Sequence, residues 1–448
     1  MFTSIDPATG AFAASFAELT DAELEMKVQR AHGAFRSWRI TDYATRTALL
    51  EGIAEQFEAN AHRLAEVATR EMGKTLKSAI AEVEKCAAGF RHYAQEGPAM
   101  LEPRSFPGAT ATWHPLGPVL AVMPWNFPYW QVVRFLAPTI MAGNVALLKH
   151  ASNVQGVAAA IEEMVIAAGA PVGLFQNLAI KSDKVAALIA DDRIVAVTLT
   201  GSEGAGMQVA EAAGRALKKV VLELGGSDPF IVMPSADVDL AAKAAVTARI
   251  QNSGQSCICA KRMIVHAAVY DAFLERFSAG MQAVVAGDPL DAATDMGPLS
   301  SAAQRQTVLD QLKLFEAAGA KLLFGGEALP GKGAFLSAGI LVDVPSDHAV
   351  AQEELFGPVA MVFKVADIDA AIALANAVPF GLGSSVWTTD PSERARFERD
   401  IEAGMIAVNT VLASMPDAPF GGIKRSGHGR ELGSYGLHEF MNLKTVLG

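Results

Sequence analysis

Two of the three cysteines in this 448-residue chain stand one residue apart, in Asn252-Ser253-Gly254-Gln255-Ser256-Cys257-Ile258-Cys259. A thiol in a small polar bend between a helical run and a strand is a candidate nucleophile, because a thiolate is the most reactive nucleophile proteins carry near neutral pH. The alternative is a buried packing thiol, the commoner fate of a free cysteine. Glu223 has an equally unusual setting, closing the apolar run Val220-Val221-Leu222 just before Leu224-Gly225-Gly226. Burying an unpaired carboxylate is costly and raises its pKa, which suits a general base; the alternative is a glutamate on the wet side of an edge strand. Asn126 is the third candidate, held in Pro124-Trp125-Asn126-Phe127-Pro128. Two prolines and two aromatics pin that loop, and a fixed amide donor at a strand's carboxyl end suits an oxyanion site. A turn asparagine is the plainer reading.

A second group of residues could hold an anionic ligand. Thr200-Gly201-Ser202-Glu203-Gly204-Ala205-Gly206 follows a strand and opens a helix, so its backbone N–H groups and helix N-terminus form a ready anion site. Its spacing is not GxGxxG, and a helix capped by Ser202 explains the segment equally well. Lys149 ends another strand at the same edge and could reach ribose hydroxyls or phosphate, or only solvent. Arg134, eight residues after Asn126 in a predicted helix, could face the pocket or solvent. The nine histidines show no metal-ligand spacing, so no metal is expected.

These residues need a sheet to position them. Apolar runs at 119–123, 145–149, 174–179, 194–199 and 219–224 alternate with helical patterns at 154–168 and 203–217, the signature of a parallel sheet buried on both faces. The fold class is therefore α/β with a doubly wound, Rossmann-like unit whose ligands bind at the carboxyl ends of the strands. The second half repeats the style, with strands expected at 230–233, 262–266, 361–365 and 405–408 and helices at 238–251, 267–286 and 368–377. Upstream, Thr41–Gly73 reads as one long amphipathic helix and Gly97–Pro118 as an extended connector or arm. The tail from Glu431 alternates toward Phe440–Val446 as an exposed strand, which implies an oligomer to cover it.

The composition narrows the class. The chain is long enough for two or three domains, 51% of it is hydrophobic and 19% charged, so disorder is excluded. No apolar run approaches the ~18–20 residues of a membrane span, and Met1–Gly10 lacks a secretory pattern. Three cysteines make a poor disulfide framework, so a cytoplasmic location is expected. A net charge of −11 gives no reason to expect a nucleic-acid partner.

Taken in order, Glu71-Met72-Gly73-Lys74, Pro124–Pro128, Leu222–Gly226, Asn252–Cys257, Glu353–Val359 and Pro419–Gly427 resemble the aldehyde dehydrogenase superfamily across most of the chain. The short length, Met123–Arg134 and the Gly422–Leu432 ending look most like its bacterial succinate-semialdehyde enzymes. The resemblance implies a Rossmann-like cofactor domain at 1–98 and 117–224, an α/β catalytic domain at 225–429, and a small β bridging element at 99–116 and 430–448 that joins a homodimer or homotetramer. It makes Cys257 the nucleophile, Glu223 the base, and Asn126 with the Cys257 N–H the oxyanion hole. Trp125, Lys149, Ser152, Gly201, Ser202, Glu354 and Phe356 become cofactor contacts, and Arg134, Phe127 and Phe420 substrate contacts. The implied reaction is NAD(P)-dependent oxidation of succinate semialdehyde to succinate through a cysteine thiohemiacetal and thioester.

Two departures bear on specificity. Ser152 stands where many NAD-specific members carry a glutamate that repels the 2′-phosphate, so NADP is expected to be tolerated, with NADP preference open. Gln251 replaces a second substrate arginine, leaving Arg134 as the single expected anchor for a distal carboxylate. Other readings are an enzyme for neutral aliphatic or aromatic aldehydes, a cofactor-independent cysteine acyl hydrolase, and a non-catalytic member of the fold. Cys259 could pair reversibly with Cys257 or only pack.

Overall fold

A computed structural model describes residues 1–448 and contains two large sheets, a three-stranded one and two two-stranded pairs. In the first, strands run in the order Gly427–His428, Lys219–Glu223, Ala196–Thr200, Pro118–Val122, Val145–Lys149 and Phe175–Asn177. The five from residues 118–223 are parallel, and Gly427–His428 adds antiparallel to Lys219–Glu223. Val145–Lys149 is buried throughout because helices cover both faces, which is why its sequence is apolar without alternation. One core of 68 buried residues joins this sheet to the helices Asp21–Trp38, Tyr43–Ala59, Ala61–Met72, Leu76–Met100 and Trp130–Ala142. Every residue of Trp130–Ala142 is buried, Arg134 included.

The second sheet runs Lys321–Phe324, Gly339–Val342, Val359–Val365, Ala260–His266, Asp228–Val232, Gly383–Trp387 and Met405–Val408, parallel except for Lys321–Phe324. Separate cores of 25 and 18 buried residues contain side chains from its strands. The third sheet pairs Arg104–Phe106, Ala109–Pro115 and Met441–Leu447 antiparallel, with Met441–Leu447 at one edge. Six of the seven residues of that terminal strand are exposed, Leu443 and Val446 among them. The tail is not all strand, since Gly433–Glu439 is a helix. No helix of the chain is long and apolar enough to cross a membrane.

Two further expectations from sequence need correction. The helix expected over Thr41–Gly73 is two helices that meet at Asn60, whose backbone N–H and side-chain amide both donate to the Gln56 carbonyl and so end the first. The expected connector begins later than Gly97, because Leu76–Met100 stays helical. Gly97 is there for contact, since a Cβ would be driven into Met141. Pro98 lacks the N–H that would bond the Ala94 carbonyl, and the Thr47 hydroxyl donates to it instead at 2.9 Å.

Candidate active site

The bend before Cys257 is built from three consecutive residues in the left-handed region: Asn252 (φ 52°), Ser253 (φ 56°) and Gly254 (φ 74°). The first two are not glycine, a conformation that costs on the order of 1–3 kcal/mol per residue and persists where surrounding contacts enforce it. Those contacts are present. Asn252 Nδ2 donates to the Asn126 carbonyl at 2.6 Å, Ser253 Oγ to the Gly297 carbonyl at 2.9 Å, and Gln255 Oε1 accepts from Ser300 N at 2.9 Å. A Cβ on Gly254 would run into the Gly357 carbonyl, so this strand-to-loop approach requires glycine. Lys261, fully buried in the strand Ala260–His266, donates to the carbonyls of Ser256 and Cys257, both at 2.8 Å, and pairs with Glu354 at 3.0 Å.

Cys257 is half-buried and opens onto a cavity of about 230 Å³. Burial pushes its thiol up to about 12, while Arg134 and Lys261 pull it down. The thiol therefore rests protonated and must lose its proton to react. Its backbone N–H makes no backbone hydrogen bond. Asn126 is buried, with Nδ2 donating to the Gln255 carbonyl at 3.0 Å and Oδ1 accepting from Gln131 Nε2 at 2.9 Å. One amide proton of Asn126 stays available, and the loop that carries it is tied to the Cys257 bend through Asn252 and Gln255. Cys259 is a second free, buried thiol whose S–H is directed to the Gln251 carbonyl at 3.4 Å.

Glu223 ends an interior strand, so the edge-strand alternative does not hold. It is 2% exposed, and neither carboxylate oxygen has a hydrogen-bond partner. Burial holds its pKa well above the usual carboxylate range, Glu431 adds to the rise, and Arg134 and Arg430 oppose it. Space for it comes from Gly421 (φ 153°), where a Cβ would stand 2.5 Å from Glu223 Oε1. Arg134 forms an ion pair with buried Glu431, donates to Thr200 Oγ1 at 3.1 Å, and lies 4.6 Å over the Phe420 ring. The arginine expected to await a ligand thus already has a carboxylate partner.

Sequence reasoning missed Glu431 and Lys261. Lys261 lies just outside the strand expected at 262–266 and beside a second charge, Arg262, so it did not stand out as Glu223 did; Glu431 had no signal, because its role depends on contacts across the fold.

At the carboxyl edge of the first sheet, Lys149 is buried, its ammonium has no protein partner, and burial lowers its pKa. Ser152 nearby is exposed, and Ser202 caps Glu203–Arg215 by accepting from Ala205 N at 3.4 Å. An apolar cleft lined by Val122, Val185, Ile189, Leu199, Val209 and Ala212 opens beside them. A free cation, a capped helix start and an apolar slot at one edge fit a dinucleotide's phosphates or ribose and its base. Trp125 meets Phe356 edge-on at 5.8 Å, and Glu354 accepts from Gly226 N at 3.2 Å. His150 locks this edge to the Asn126 loop: it accepts from Ala151 N at Nδ1, donates from Nε2 to the Pro128 carbonyl at 2.9 Å, and burial lowers its pKa to about 4.

The structure therefore gathers Cys257, Arg134, Phe127, Gln131 and Phe420 around one cavity, with Asn126 tied to its Cys257 wall. Glu223 does not line this cavity, although it shares the field of Arg134 with Cys257.

The model of the aldehyde dehydrogenase family matches residues 1–446. A succinate-semialdehyde dehydrogenase [NADP(+)] of Mycobacterium bovis is 50% identical over 99% of this chain and 98% of its own length. A succinate-semialdehyde dehydrogenase [NADP(+)] of Mycolicibacterium paratuberculosis is also 50% identical, over 99% and 96%. Among solved structures, succinic semialdehyde dehydrogenase from Streptococcus pyogenes in complex with NADP+ superposes with a TM-score of 0.97 at 38% identity, covering 100% of this chain and 99% of that one.

Proposed function

The chain belongs to the aldehyde dehydrogenase family, and from that premise we propose that it oxidises succinate semialdehyde to succinate with NADP. The observation that carries the substrate is the cavity itself, where cationic side chains surround a thiol at the scale of a short aldehyde. Relatives named for this substrate and cofactor at 50% identity support it.

In this reading the Cys257 thiol releases its proton to water in the open cavity, and the sulfur adds to the aldehyde carbon. The Asn126 amide and the Cys257 N–H donate to the oxygen of the tetrahedral thiohemiacetal, where its negative charge develops. Bound NADP supplies the two-electron oxidant. Glu223 then takes a proton from water, which cleaves the thioester and frees acid and thiol. Lys149, Ser152, Gly201 and Ser202 would hold the cofactor's adenosine half and phosphates, and Trp125, Glu354 and Phe356 its nicotinamide half. Phe127 and Phe420 wall the substrate.

The test is a matrix of aldehydes against NAD and NADP, followed by cofactor absorbance. Brisk turnover of succinate semialdehyde with NADP and slow turnover of butanal supports the reading; butanal turned over as well as the semialdehyde overturns it. Ser152→Glu places a carboxylate where the 2′-phosphate would lie, so the KM for NADP should rise about 10- to 100-fold with little change for NAD. Unchanged NADP kinetics would remove Ser152 from that role.

Arg134→Leu has two expected effects, because the arginine neutralises Glu431 as well as facing the cavity. KM for succinate semialdehyde should rise about tenfold or more, and kcat should fall for charged and uncharged aldehydes alike as Glu431 loses its counter-charge. A KM that rises equally for butanal would deny Arg134 a part in carboxylate binding. The exposed apolar strand Met441–Leu447 supports a homo-oligomer that covers it.

A further inference from the structure

Four charged side chains line the cavity: Lys74, Glu82, Lys85 and Arg134. Lys74 is paired with Glu82, and Arg134 with Glu431. Glu82 is further engaged by the backbone N–H groups of Tyr129 and Trp130, both at 2.9 Å. Lys85 alone has no ion pair. Its ammonium donates one hydrogen bond, to Ser414 Oγ at 2.9 Å, and stands 4.5 Å over the Trp130 ring. Trp130 Nε1 donates to the same oxygen at 2.9 Å. With two donors already on its oxygen, Ser414 is left to donate its own proton, and Lys85 keeps two unspent protons.

Resting on the reading that the substrate carries a distal carboxylate, we propose that Lys85 supplies the unmatched charge that binds it, beside the already paired Arg134, from the helix Leu76–Met100, with Ser414 and Trp130 orienting the ammonium. Charge accounting supports this. A buried cation without an anionic partner of its own is held at a cost that a bound carboxylate relieves, whereas Glu82 is taken by Lys74 and the charge of Arg134 is matched by Glu431. Burial, aided by the field of Arg134, lowers the Lys85 pKa to about 8, and an anionic ligand would reverse that shift. The arrangement also accounts for a chain with Gln251 in place of a second arginine: the missing cation comes from another element, on another wall of the same cavity.

The experiment compares wild type, Lys85→Met and Lys85→Arg on succinate semialdehyde and on butanal, its uncharged four-carbon counterpart. Lys85→Met should raise the KM for succinate semialdehyde about 10- to 100-fold, the range of a charge-assisted hydrogen bond. Its KM for butanal should hold or fall, and butanal turnover also reports that the variant folds. Lys85→Arg should recover most of the loss. A Lys85→Met enzyme that keeps the wild-type KM for the semialdehyde, or whose KM rises equally for both aldehydes, overturns the role of Lys85 while leaving the proposed function standing. Wild-type enzyme without preference for the semialdehyde overturns both.

Discussion

Cys257→Ala should lower aldehyde-dependent NADP reduction by at least about 10⁴-fold, the scale on which loss of a covalent nucleophile is felt. Nothing nearby can replace it. Cys259 is fully buried and its S–H is committed to the Gln251 carbonyl, so the second thiol offers no alternative route. The substitution removes one sulfur from a half-buried position whose main chain is held by Lys261, so the bend should survive and cofactor binding, followed by fluorescence, should be unchanged. Activity within about tenfold of wild type would rule out covalent chemistry at Cys257. The same variant weighs the acyl-hydrolase alternative: rapid ester cleavage by wild type without cofactor, together with negligible aldehyde oxidation, would favour that reading.

Glu223→Gln should separate the two halves of the reaction. If Glu223 activates water, reduction of about one equivalent of NADP per site should remain fast, followed by turnover slowed about 10²- to 10⁴-fold as the thioester waits for hydrolysis. Rapid mixing resolves the burst from the slow phase. Equal slowing of both phases would instead make Glu223 the base that deprotonates Cys257. Stability gives an independent readout. The folded-state pKa of Glu223 is raised, so the fold retains a proton that the unfolded chain releases above about pH 4.5. Its contribution therefore falls as pH climbs from the unfolded value through the folded one. Glutamine cannot ionise, so the variant should lose that slope and show an equal or higher Tm on the alkaline side.

The parts of the fold that were legible in the sequence are those where one element decides its own pattern. Val145–Lys149 and Met405–Val408 have the boundaries their apolar runs predict, and Val238–Ile250 departs from expectation by one residue. Gly383–Trp387 escaped because it begins Gly-Ser-Ser, without the apolar run that marks its neighbours. The break at Asn60 escaped because the hydrophobic spacing continues through it, although the backbone does not. At the site, Cys257, Glu223 and Asn126 each carried a local anomaly of residue type against surroundings. The partnership of Arg134 with Glu431, nearly 300 residues away in sequence, carried none. Its consequence is physical, since an arginine that looked free in sequence is half of an ion pair in the fold.

Gly254 and Gly357 constrain any effort to diversify this pocket. Gly254 admits no side chain because of the Gly357 carbonyl, and a Cβ on Gly357 would itself stand 2.8 Å from Val308. The two loops are therefore joined main chain to main chain, a hinge pin with no adjustable part. A combinatorial library that varies Gly254 would have to displace main chain, and one that varies Gly357 would have to displace Val308, while Phe127, Gln251, Ile258 and Phe420 offer side chains to exchange around a joint that stays fixed. The shape of the pocket is open to selection; the seat of its sulfur is inherited whole.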